Sequence, residues 1–485
     1  MRRSKTRSAS ASLSLLALHA TVSTAYVLPH LRPATPPRAH VSATFSSESE
    51  YLDEIEKIEL PGGFRVGVSG FEFKPAELEG KANAVMNMTL IALDAPTEDY
   101  AAVMTRNRFP GAPIKVIRER LFNQNPVQAV IVNNKISNVC AAGDGVDASE
   151  RVCAAVASTL GIPGGREAVL PLSTGVIGWR LPIKQMVDAV PDLLKALTSG
   201  GSALPAAKSI MTTDRFPKLR MVEACGGRIV GFAKGAGMIE PDMATMLAFC
   251  LTDVAVPRDA LQPMLKRAAD VSFNCASVDA DQSTSDALLC LSSGLKKVKA
   301  GSSEGGRAQL EEFEQALTEL CVALSEDVVR NGEGTTHVIR CKVVGAPTFE
   351  LARGVGKAVI NSPLFKAAVA GNDPNVGRLV STVGSYLGRA APELDLKECS
   401  MKMGGKLIFS GGEFKIDLKV EDELYEHMKD ALLCGEYGAS LPYPPHERCV
   451  EIEVDLGDAE TGESCTVHGS DLTKEYVSIN ADYRS

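Results

Sequence analysis

The sequence has few histidines and no closely paired cysteines. Its 12 cysteines are scattered singly, without a CxxC pair, which is typical of reduced, mostly buried thiols in a reducing compartment. Only 7 histidines are present, and three of them lie in the first 45 residues. The other four have neither HxxH nor HExxH spacing; they are His337, His427, His446 and His468. The sequence therefore gives no support to a histidine-rich metal site.

Long apolar runs and concentrated positive charge are also missing. No stretch beyond the first 45 residues reaches the length of about 20 apolar residues that a membrane-spanning helix needs. The formal net charge is −9, and no basic stripe with interleaved aromatic residues is present. We therefore expect a soluble protein that has neither a membrane nor a nucleic acid as its partner.

The first 45 residues differ in composition from the rest of the chain. They begin with Arg2, Arg3, Lys5 and Arg7, continue into the short apolar run 13–20, and no acidic residue precedes Glu48. Such a segment is typical of targeting sequences. It predicts a plastid destination through a bipartite signal, with the mitochondrial matrix as the alternative. A secretory signal alone is disfavoured by the unpaired cysteines.

From residue 62 onward, short apolar runs alternate with amphipathic stretches, which predicts an α/β protein. The apolar runs predict buried strands at Thr89–Leu93, Gln128–Val132 and Val169–Leu172. The spacing of apolar residues predicts helices at Ser149–Leu160, Ile183–Leu197, Ala260–Val271, Gln309–Val329 and Leu364–Ala370. The segment Gly301–Arg307 is rich in Gly and Ser, and we interpret it as a surface loop.

The most unusual stretch is Lys234–Phe249, which reads KGAGMIEPDMATMLAF. Its glycines and Pro241 predict a loop, and the apolar run Met246–Leu251 predicts a buried strand that follows it. Thr245 thus places a hydroxyl at the beginning of a buried strand. Threonine is a good strand residue, so a packing role is one interpretation of this position.

The other interpretation of Thr245 is a nucleophile. A threonine hydroxyl needs a base beside it, and a free α-amine on the same residue can be that base, since its pKa lies near about 8. Thr245 would first attack the carbonyl of Ala244, and water would then complete the cut. The scarcity of histidines favours an amine base over a Ser/His/Asp triad.

Four further motifs carry weaker signals. The Ser173–Gly178 turn follows an apolar run, and Thr174 with Gly175 could supply a hydroxyl and a backbone N–H to an oxyanion, although most such turns are only turns. Gly354–Lys357 resembles part of a phosphate loop but lacks its first glycine and its Ser/Thr. The pairs Gly404–Gly405 and Gly411–Gly412 predict hairpin turns. The carboxylates of Asp279, Asp281 and Asp286 suggest either a cation site or, as we favour, a solvated loop or polar cluster.

Several rare motifs in one order resemble the bifunctional glutamate/ornithine N-acetyltransferases, a self-cleaving family. The stretch KGAGMIEPDMATML is similar to the cleavage signature of that family, in which the threonine after MA is the nucleophile. Further matching stretches cover the chain from about residue 61 to its last residue: Thr105–Arg108, Ser173–Gly178, Met211–Asp214, Ser272–Asn274, Ser277–Asp279, Gly332–Gly334, Asn361–Pro363 and Ile479–Ser485.

The resemblance implies a role for each matching residue. Thr245 would be the nucleophile and, through its new amine, the base, while Thr174 and Gly175 would form the oxyanion hole. Residues implied to contact substrate are Thr212, Thr213, Lys234, Thr245, Glu333, Asn480 and Ser485. Without the resemblance, Lys234 would be interpreted as a surface lysine and Glu333 as a turn carboxylate. The implied cut divides the mature chain into residues 46–244 and 245–485, after a targeting segment of residues 1–45.

The resemblance also implies a reaction and a fold. Thr245 would take acetyl from N2-acetylornithine and pass it to glutamate in a ping-pong reaction of arginine biosynthesis, without a metal or organic cofactor, and acetyl-CoA is a possible second donor. The implied fold is a layered α/β/β/α sandwich of two intertwined subdomains, with an architecture like that of the N-terminal-nucleophile hydrolases. Its two cleaved chains would pair again as a heterotetramer.

The chain departs from the family pattern at several positions. Val376 stands where the family usually has Trp, and Asn133–Asn138 replaces a stretch similar to NSGNAN. Ala236 and Asp242 stand where Ser and Asn are common. Two rival hypotheses remain at this point: a self-cleaved aminopeptidase in which water resolves the acyl-enzyme, and a non-enzymatic protein that retains the fold.

Overall fold

The computed structural model describes six stretches of the chain, which are residues 44–77, 83–240, 246–299, 303–434, 441–458 and 462–481. The strands in these stretches are β1 (Phe64–Phe73), β2 (Ala84–Thr97), β3 (Tyr100–Met104), β4 (Val127–Asn133), β5 (Val169–Ser173), β6 (Thr198–Ser199), β7 (Lys218–Ala224), β8 (Gly227–Lys234), β9 (Leu247–Ala255), β10 (Ala276–Ser277), β11 (Ala287–Lys297), β12 (Val338–Ala346), β13 (Ser400–Met403), β14 (Lys406–Ser410), β15 (Glu413–Phe414), β16 (Val450–Asp455) and β17 (Glu463–Ser470). The α-helices are α1 (Glu48–Glu56), α2 (Ala112–Phe122), α3 (Gly145–Leu160), α4 (Ile183–Lys195), α5 (Leu204–Ser209), α6 (Arg258–Val271), α7 (Glu304–Arg330), α8 (Phe349–Ile360), α9 (Pro363–Ala370), α10 (Val376–Ala390), α11 (Leu418–Asp430) and α12 (Lys474–Ala481).

Two five-stranded sheets face each other across one apolar core. The first sheet has the strand order β5-β4-β2-β1-β6, and the second has the order β3-β11-β9-β8-β7. Val130 and Leu172 of the first sheet share a core with Phe232 and Phe249 of the second. The rings of Phe232 and Phe249 stack at 4.9 Å between centroids. This core forms the centre of the sandwich.

Helices cover the outer faces of both sheets. Side chains of β9 alternate between two cores because successive residues of a strand point to opposite faces. Phe249 lies in the core between the sheets, whereas Cys250 lies in a second core that α6 and α7 close. On the other outer face, Val156 of α3 and Leu193 of α4 pack in a core with the first sheet. The layers are therefore α/β/β/α, which confirms the predicted fold class.

A third sheet with its own helical layer follows in the second half of the chain. Its strand order is β10-β17-β12-β16-β13-β14-β15. Helices α8, α10 and α11 pack on it around a core that includes Val355, Leu379 and Leu424. The long helix α7 contacts both β8 of the second sheet and β17 of the third.

Most of the elements predicted from the sequence are confirmed, and one is wrong. The predicted strands lie within β2, β4 and β5, and the predicted helices coincide with α3, α4, α6, α7 and α9 to within a few residues. The predicted surface loop 301–307 is wrong from Ser303 onward, because the Ser303 side chain accepts a hydrogen bond from the Gly306 amide and begins α7 there. Residues 300–302 lie outside the described stretches.

Two of the glycine-containing motifs form regular secondary structure and a turn. Gly354–Lys357 lies inside α8, where Gly356 packs against Val467, so this stretch does not form a phosphate loop. Gly404 and Gly405 connect β13 to β14 with positive φ angles of 54° and 76°, as predicted for a hairpin turn.

Within the six described stretches, no helix is both long enough and apolar enough to cross a membrane. The same stretches contain no group of three or more His, Cys, Asp and Glu side chains that could hold a metal ion.

Candidate functional site

A cavity of about 440 Å³ lies where several strands of the two sandwich sheets begin or end. Lys234 is the last residue of β8, Met246 directly precedes β9, and Asp286 directly precedes β11. Leu247 pairs with both Lys234 and Ala287, so the end of β8 and the beginnings of β9 and β11 lie side by side in the second sheet. The residues that line the cavity are Ser137, Thr174, Gly175, Val176, Ile177, Thr212, Thr213, Lys234, Gly237, Met238, Met246, Leu247, Ser283, Thr284, Ser285, Asp286, Glu333 and Asn480.

The cavity brings together seven of the predicted site residues. They come from distant parts of the chain and are Thr174, Gly175, Thr212, Thr213, Lys234, Glu333 and Asn480. Ala244, Thr245 and Ser485 lie outside the described residues. Met246, which follows Thr245 in the sequence, lines the cavity.

The Thr174–Gly175 turn forms one wall of the cavity. The Thr174 amide donates a 3.0 Å hydrogen bond to the Asn133 carbonyl, and the Val176 amide donates one of 2.9 Å to the Lys135 carbonyl. Gly175 has a φ angle of +115°, and a Cβ atom on it would lie 2.2 Å from the Lys135 carbonyl oxygen. Only glycine therefore fits this position without a shift of the backbone.

Lys234 is the cation of the cavity, and it is buried, so its interpretation as a surface lysine is wrong. Its Nζ donates a 3.0 Å hydrogen bond to Thr174 Oγ1. Asp214, whose side chain is buried, lies close to it and pairs with Lys218. Burial alone would raise the pKa of the Asp214 carboxyl, but the charges of Lys218 and Lys234 and the Gly235 amide outweigh burial and lower that pKa. The charged form of Asp214 is therefore favoured beside the two lysines, and Asp214 forms its ion pair with Lys218.

Asp214 also orders the residues on both sides of it. Its Oδ1 accepts a 2.7 Å hydrogen bond from the Gly235 amide, and its Oδ2 accepts one of 2.8 Å from the Thr212 amide. Thr212 and Thr213 are exposed and line the cavity, and the Thr212 hydroxyl also donates a 3.4 Å hydrogen bond to Asp214 Oδ2. The carboxylate thus fixes the threonine pair relative to the end of β8.

Glu333 supplies a carboxylate to the cavity, and Asn480 orients it. Glu333 is 8% exposed, and its Oε2 accepts a 2.9 Å hydrogen bond from Asn480 Nδ2. Its amide donates a 2.7 Å hydrogen bond to the Ala236 carbonyl. A Cβ atom on Gly237 would lie 2.5 Å from Glu333 Oε2, so this glycine allows the chain before the predicted cut to approach the carboxylate. Glu333 thus lies in a turn, as the sequence alone suggested, but its carboxylate is buried and lines the cavity.

All four residues of Ser283–Asp286 line the cavity, but the sequence analysis singled out only Asp286 and did not assign it to the site. Asp286 is 4% exposed and lies with three hydroxyl-bearing residues, so of the two favoured interpretations the polar cluster fits this residue and the solvated loop does not. Asp279 has a different task, because its carboxylate accepts 2.7 Å hydrogen bonds from the Met238 and Ile239 amides. The missed signal is that Ser283–Asp286 directly precedes an apolar strand, as Thr245 does.

The cavity has the chemistry of an amino-acid site. Lys234 can pair with a carboxylate, Glu333 can pair with an ammonium group, and the hydroxyl groups of Thr174 and the Thr212–Thr213 pair can bind either. The turn at Gly175 adds backbone groups at the side of the cavity where Lys234 contacts Thr174. A small zwitterion can thus be bound through both of its charges.

Comparisons with known proteins agree with this chemistry. The model of the ArgJ family matches residues 73–485. A glutamate N-acetyltransferase of Methanosarcina mazei is 36% identical over 419 residues, which cover 86% of this chain and 96% of that protein. The arginine biosynthesis bifunctional protein ArgJ of Thermosynechococcus vestitus is 36% identical over 408 residues, which cover 83% of this chain and 93% of that protein.

Among solved structures, the arginine biosynthesis bifunctional protein ArgJ of Bacillus halodurans is 28% identical to this chain, with a TM-score of 0.41. The match covers 49% of this chain and 100% of that one. The family assignment rests on the match to the ArgJ family model and on the two relatives above, which this chain covers over almost their whole length. The chain belongs to the ArgJ family and is an acyltransferase of arginine biosynthesis.

Proposed function

We propose that this protein transfers the acetyl group of N2-acetylornithine to glutamate through an acetyl ester on Thr245. The observation that carries the proposal is the joint placement of Lys234, Glu333 and the Thr174–Gly175 turn in one cavity beside Met246. Relatives named glutamate N-acetyltransferase and arginine biosynthesis bifunctional protein support the choice of substrates.

Each side chain has a task in this reaction. Lys234 binds the α-carboxylate that both substrates carry, and Glu333 binds the side-chain ammonium group of acetylornithine. The carbonyl oxygen becomes an oxyanion when Thr245 attacks, and Thr174 Oγ1 with the Gly175 amide stabilises it. Lys234 donates a hydrogen bond to Thr174 Oγ1, which frees the hydroxyl hydrogen of Thr174 for the oxyanion.

The proposed cut leaves both products in one fold. Strands β7 and β8 precede Thr245 and β9 follows it, yet β8 and β9 are hydrogen-bonded neighbours in the second sheet. Because a buried sheet holds the two fragments together, we expect them to copurify under native conditions. The heterotetramer, the use of acetyl-CoA as a second donor, and the plastid destination of residues 1–45 stay predictions.

Glutamate dependence tests the proposed reaction. Purified protein incubated with N2-acetylornithine is expected to release ornithine in step with the N-acetylglutamate formed, and to release little without glutamate. Both products are measured by chromatography with mass detection. Ornithine release at the same rate with and without glutamate would show a hydrolase in which water resolves the acyl-enzyme, and would refute the transferase.

A Gly175→Ala variant tests the oxyanion wall. The added Cβ would lie 2.2 Å from the Lys135 carbonyl oxygen, so the turn must shift and misplace its oxyanion donor. We expect kcat for acetyl transfer to fall by about 10²-fold or more, which is typical for the loss of one such donor. Gly178→Ala is the matched control, because Gly178 has a φ angle of +90° with no atom within 4 Å of an added Cβ. Equal kcat values for the two variants would contradict the role of this turn.

A further inference from the structure

Cys275 and Cys465 form a close pair of thiols in the core of the third sheet. Their sulfur atoms lie 3.4 Å apart. Both are free thiols, and their side chains are buried in the same apolar core, at 0% and 4% exposure. Neither residue lines the cavity, so the proposed acetyl transfer does not use this pair.

The two sulfur atoms come from elements that differ in how firmly the backbone holds them. Cys275 ends a single turn of 3₁₀ helix and directly precedes the two-residue strand β10. Cys465 lies in β17, which pairs with β10 on one side and with β12 on the other. Because β10 is the edge strand of the sheet and β17 is an interior strand, Cys275 can move more easily than Cys465.

The electrostatic surroundings of Cys275 favour its thiolate. The hydrogen bond with the Cys465 thiol is the main cause that lowers the pKa of Cys275, and the charges of Lys357 and Arg353 add to it, while burial and Asp270 oppose the change. Lys357 Nζ donates a 2.6 Å hydrogen bond to the carbonyl of the residue after Cys275, which fixes this cation nearby. The thiolate is the form of cysteine that attacks oxidants.

We propose that Cys275 and Cys465 are a peroxide-sensitive pair that closes into a disulfide bond. Burial selects the oxidant, because hydrogen peroxide is little larger than water and enters a core more easily than a protein disulfide does. The Cys275 thiolate attacks one peroxide oxygen, the O–O bond breaks, and a sulfenic acid and hydroxide form. The hydroxide takes up the proton that Cys275 released.

The second step closes the bond between the two sulfur atoms. The Cys465 sulfur attacks the sulfenic sulfur, and the sulfenic oxygen leaves as water together with the Cys465 proton. The two thiols thus lose two electrons to peroxide, and two water molecules form. A dithiol reductant such as dithiothreitol returns both electrons and restores the thiols.

The segment that follows Cys275 connects the thiol pair to the cavity. Bond formation must bring the two sulfur atoms more than about 1 Å closer, and the edge segment is the one that can move. Further along this segment, Ser277 Oγ donates a 3.2 Å hydrogen bond to the Ile239 carbonyl. The Asp279 carboxylate accepts 2.7 Å hydrogen bonds from the Met238 and Ile239 amides, and Met238 lines the cavity. Oxidation is therefore expected to displace one wall of the cavity.

Peptide mapping without a reductant tests the bond itself. The purified protein is treated with hydrogen peroxide, unfolded, alkylated and digested. We expect a peptide pair that joins Cys275 to Cys465 and that disappears after dithiothreitol. Cys153 is the matched control, because it is equally buried and its sulfur lies 3.7 Å from an arginine nitrogen, and it should stay alkylated.

Two results of the mapping would overturn the proposal. The first is that Cys275 and Cys465 stay alkylated after the exposed thiol of Cys140 has been oxidised. The second is that Cys153 is oxidised to the same extent as the pair, which would show that the 3.4 Å contact gives the pair no reactivity of its own. Mapping needs no enzymatic activity, so a failure of the proposed function leaves this test intact.

Acetyl transfer gives a second measurement, which rests on the function proposed above. A displacement of about 1 Å can cost up to about 10²-fold in rate, so we expect kcat/KM of the oxidised wild type to fall by about 10-fold and to recover with dithiothreitol. Cys465→Ala and Cys275→Ala cannot form the disulfide and should keep their activity in peroxide. Cys140→Ala removes an exposed thiol and should respond as the wild type does. Equal losses in the wild type and in both core variants would refute the connection between the pair and the cavity.

Discussion

A Thr245→Ala variant is expected to remain one uncut chain and to lose acetyl transfer. The alanine has no hydroxyl group to attack the Ala244 carbonyl, so neither the cut nor the α-amine can arise. In the wild type, we expect two fragments of similar size on a denaturing gel. Loss of a catalytic nucleophile lowers kcat by on the order of 10⁴-fold or more in other enzymes that form an acyl intermediate. No other effect predicted for this protein is larger.

The location of the cavity gives the physical reason for this expectation. Met246 lines the cavity together with Lys234 and the Thr174–Gly175 turn, and Met246 is the residue that follows Thr245 in the sequence. Lys234 contacts Thr174 at 3.0 Å. An attack at this point would develop its oxyanion beside the donors that the fold provides.

Thr245→Ser is the matched control for the alanine variant. Serine keeps both the hydroxyl group and, after the cut, an α-amine on the same residue. It should be cut more slowly than the wild type, yet retain measurable transfer. Intact mass measurement of each fragment reads the cleavage position directly. Two fragments from Thr245→Ala, with the second beginning at residue 245, would contradict self-cleavage by this residue.

Local patterns in the sequence predicted those parts of the fold and site that depend on nearby residues. The run Met246–Leu251 contains only apolar residues, and it lies almost entirely in β9, buried on both faces. The side chains of such a strand are buried, so only residues at its two ends can contact a substrate. A hydroxyl group directly before the strand was therefore a reasonable candidate for the nucleophile. The same reasoning applies to Thr174, which directly follows β5.

Long-range pairing accounts for what the sequence could not predict. Asp286 reaches the site because β11 pairs in parallel with β9, and nothing near Asp286 in the sequence specifies that register. The Asn133–Asn138 stretch departs from the family pattern, yet its backbone forms hydrogen bonds with the Thr174–Gly175 turn and its neighbour Val176. The Asn133 and Lys135 carbonyls accept the Thr174 and Val176 amides. Only the folded chain shows that this stretch and the turn are in contact.

The sequence patterns likewise did not predict the third sheet. Its interior strand β12 pairs in parallel with β16 and antiparallel with β17, although more than 100 residues separate Val338 from Val450. The predicted α/β class was sufficient for the sandwich, because each of its sheets is built from well-marked apolar runs. A mixed sheet assembled from short strands leaves a weaker pattern.

Replacement of Asp327 by asparagine is expected to destabilise the protein strongly. Asp327 in α7 is 2% exposed, and both of its oxygens accept 2.7 Å hydrogen bonds from the Arg220 guanidinium group of β7. Arg330 Nη1 lies 2.9 Å from Asp327 Oδ1. The asparagine would leave two buried guanidinium groups facing one neutral amide.

Loss of one partner from a buried ion pair costs about 3–5 kcal/mol, because the remaining charge stays desolvated. Glu447 lies 3.3 Å from Arg220 and offsets part of this cost, so we expect about 3 kcal/mol. The midpoint of urea unfolding, followed by circular dichroism, measures the loss. Asp188→Asn is the control, because the Lys184–Asp188 pair is exposed and such pairs contribute little.

The Asp327 variant also tests how the two fragments stay together. Arg220 precedes the predicted cut and Asp327 follows it, so this buried pair connects the two products of cleavage. After the cut the covalent link is gone, and dissociation of the fragments becomes possible once their shared sheet opens. We therefore expect fragments of the variant to separate at a lower urea concentration than those of the wild type, as measured by size-exclusion chromatography in urea. Equal unfolding midpoints and equal separation for Asp327→Asn and Asp188→Asn would refute the role of this ion pair.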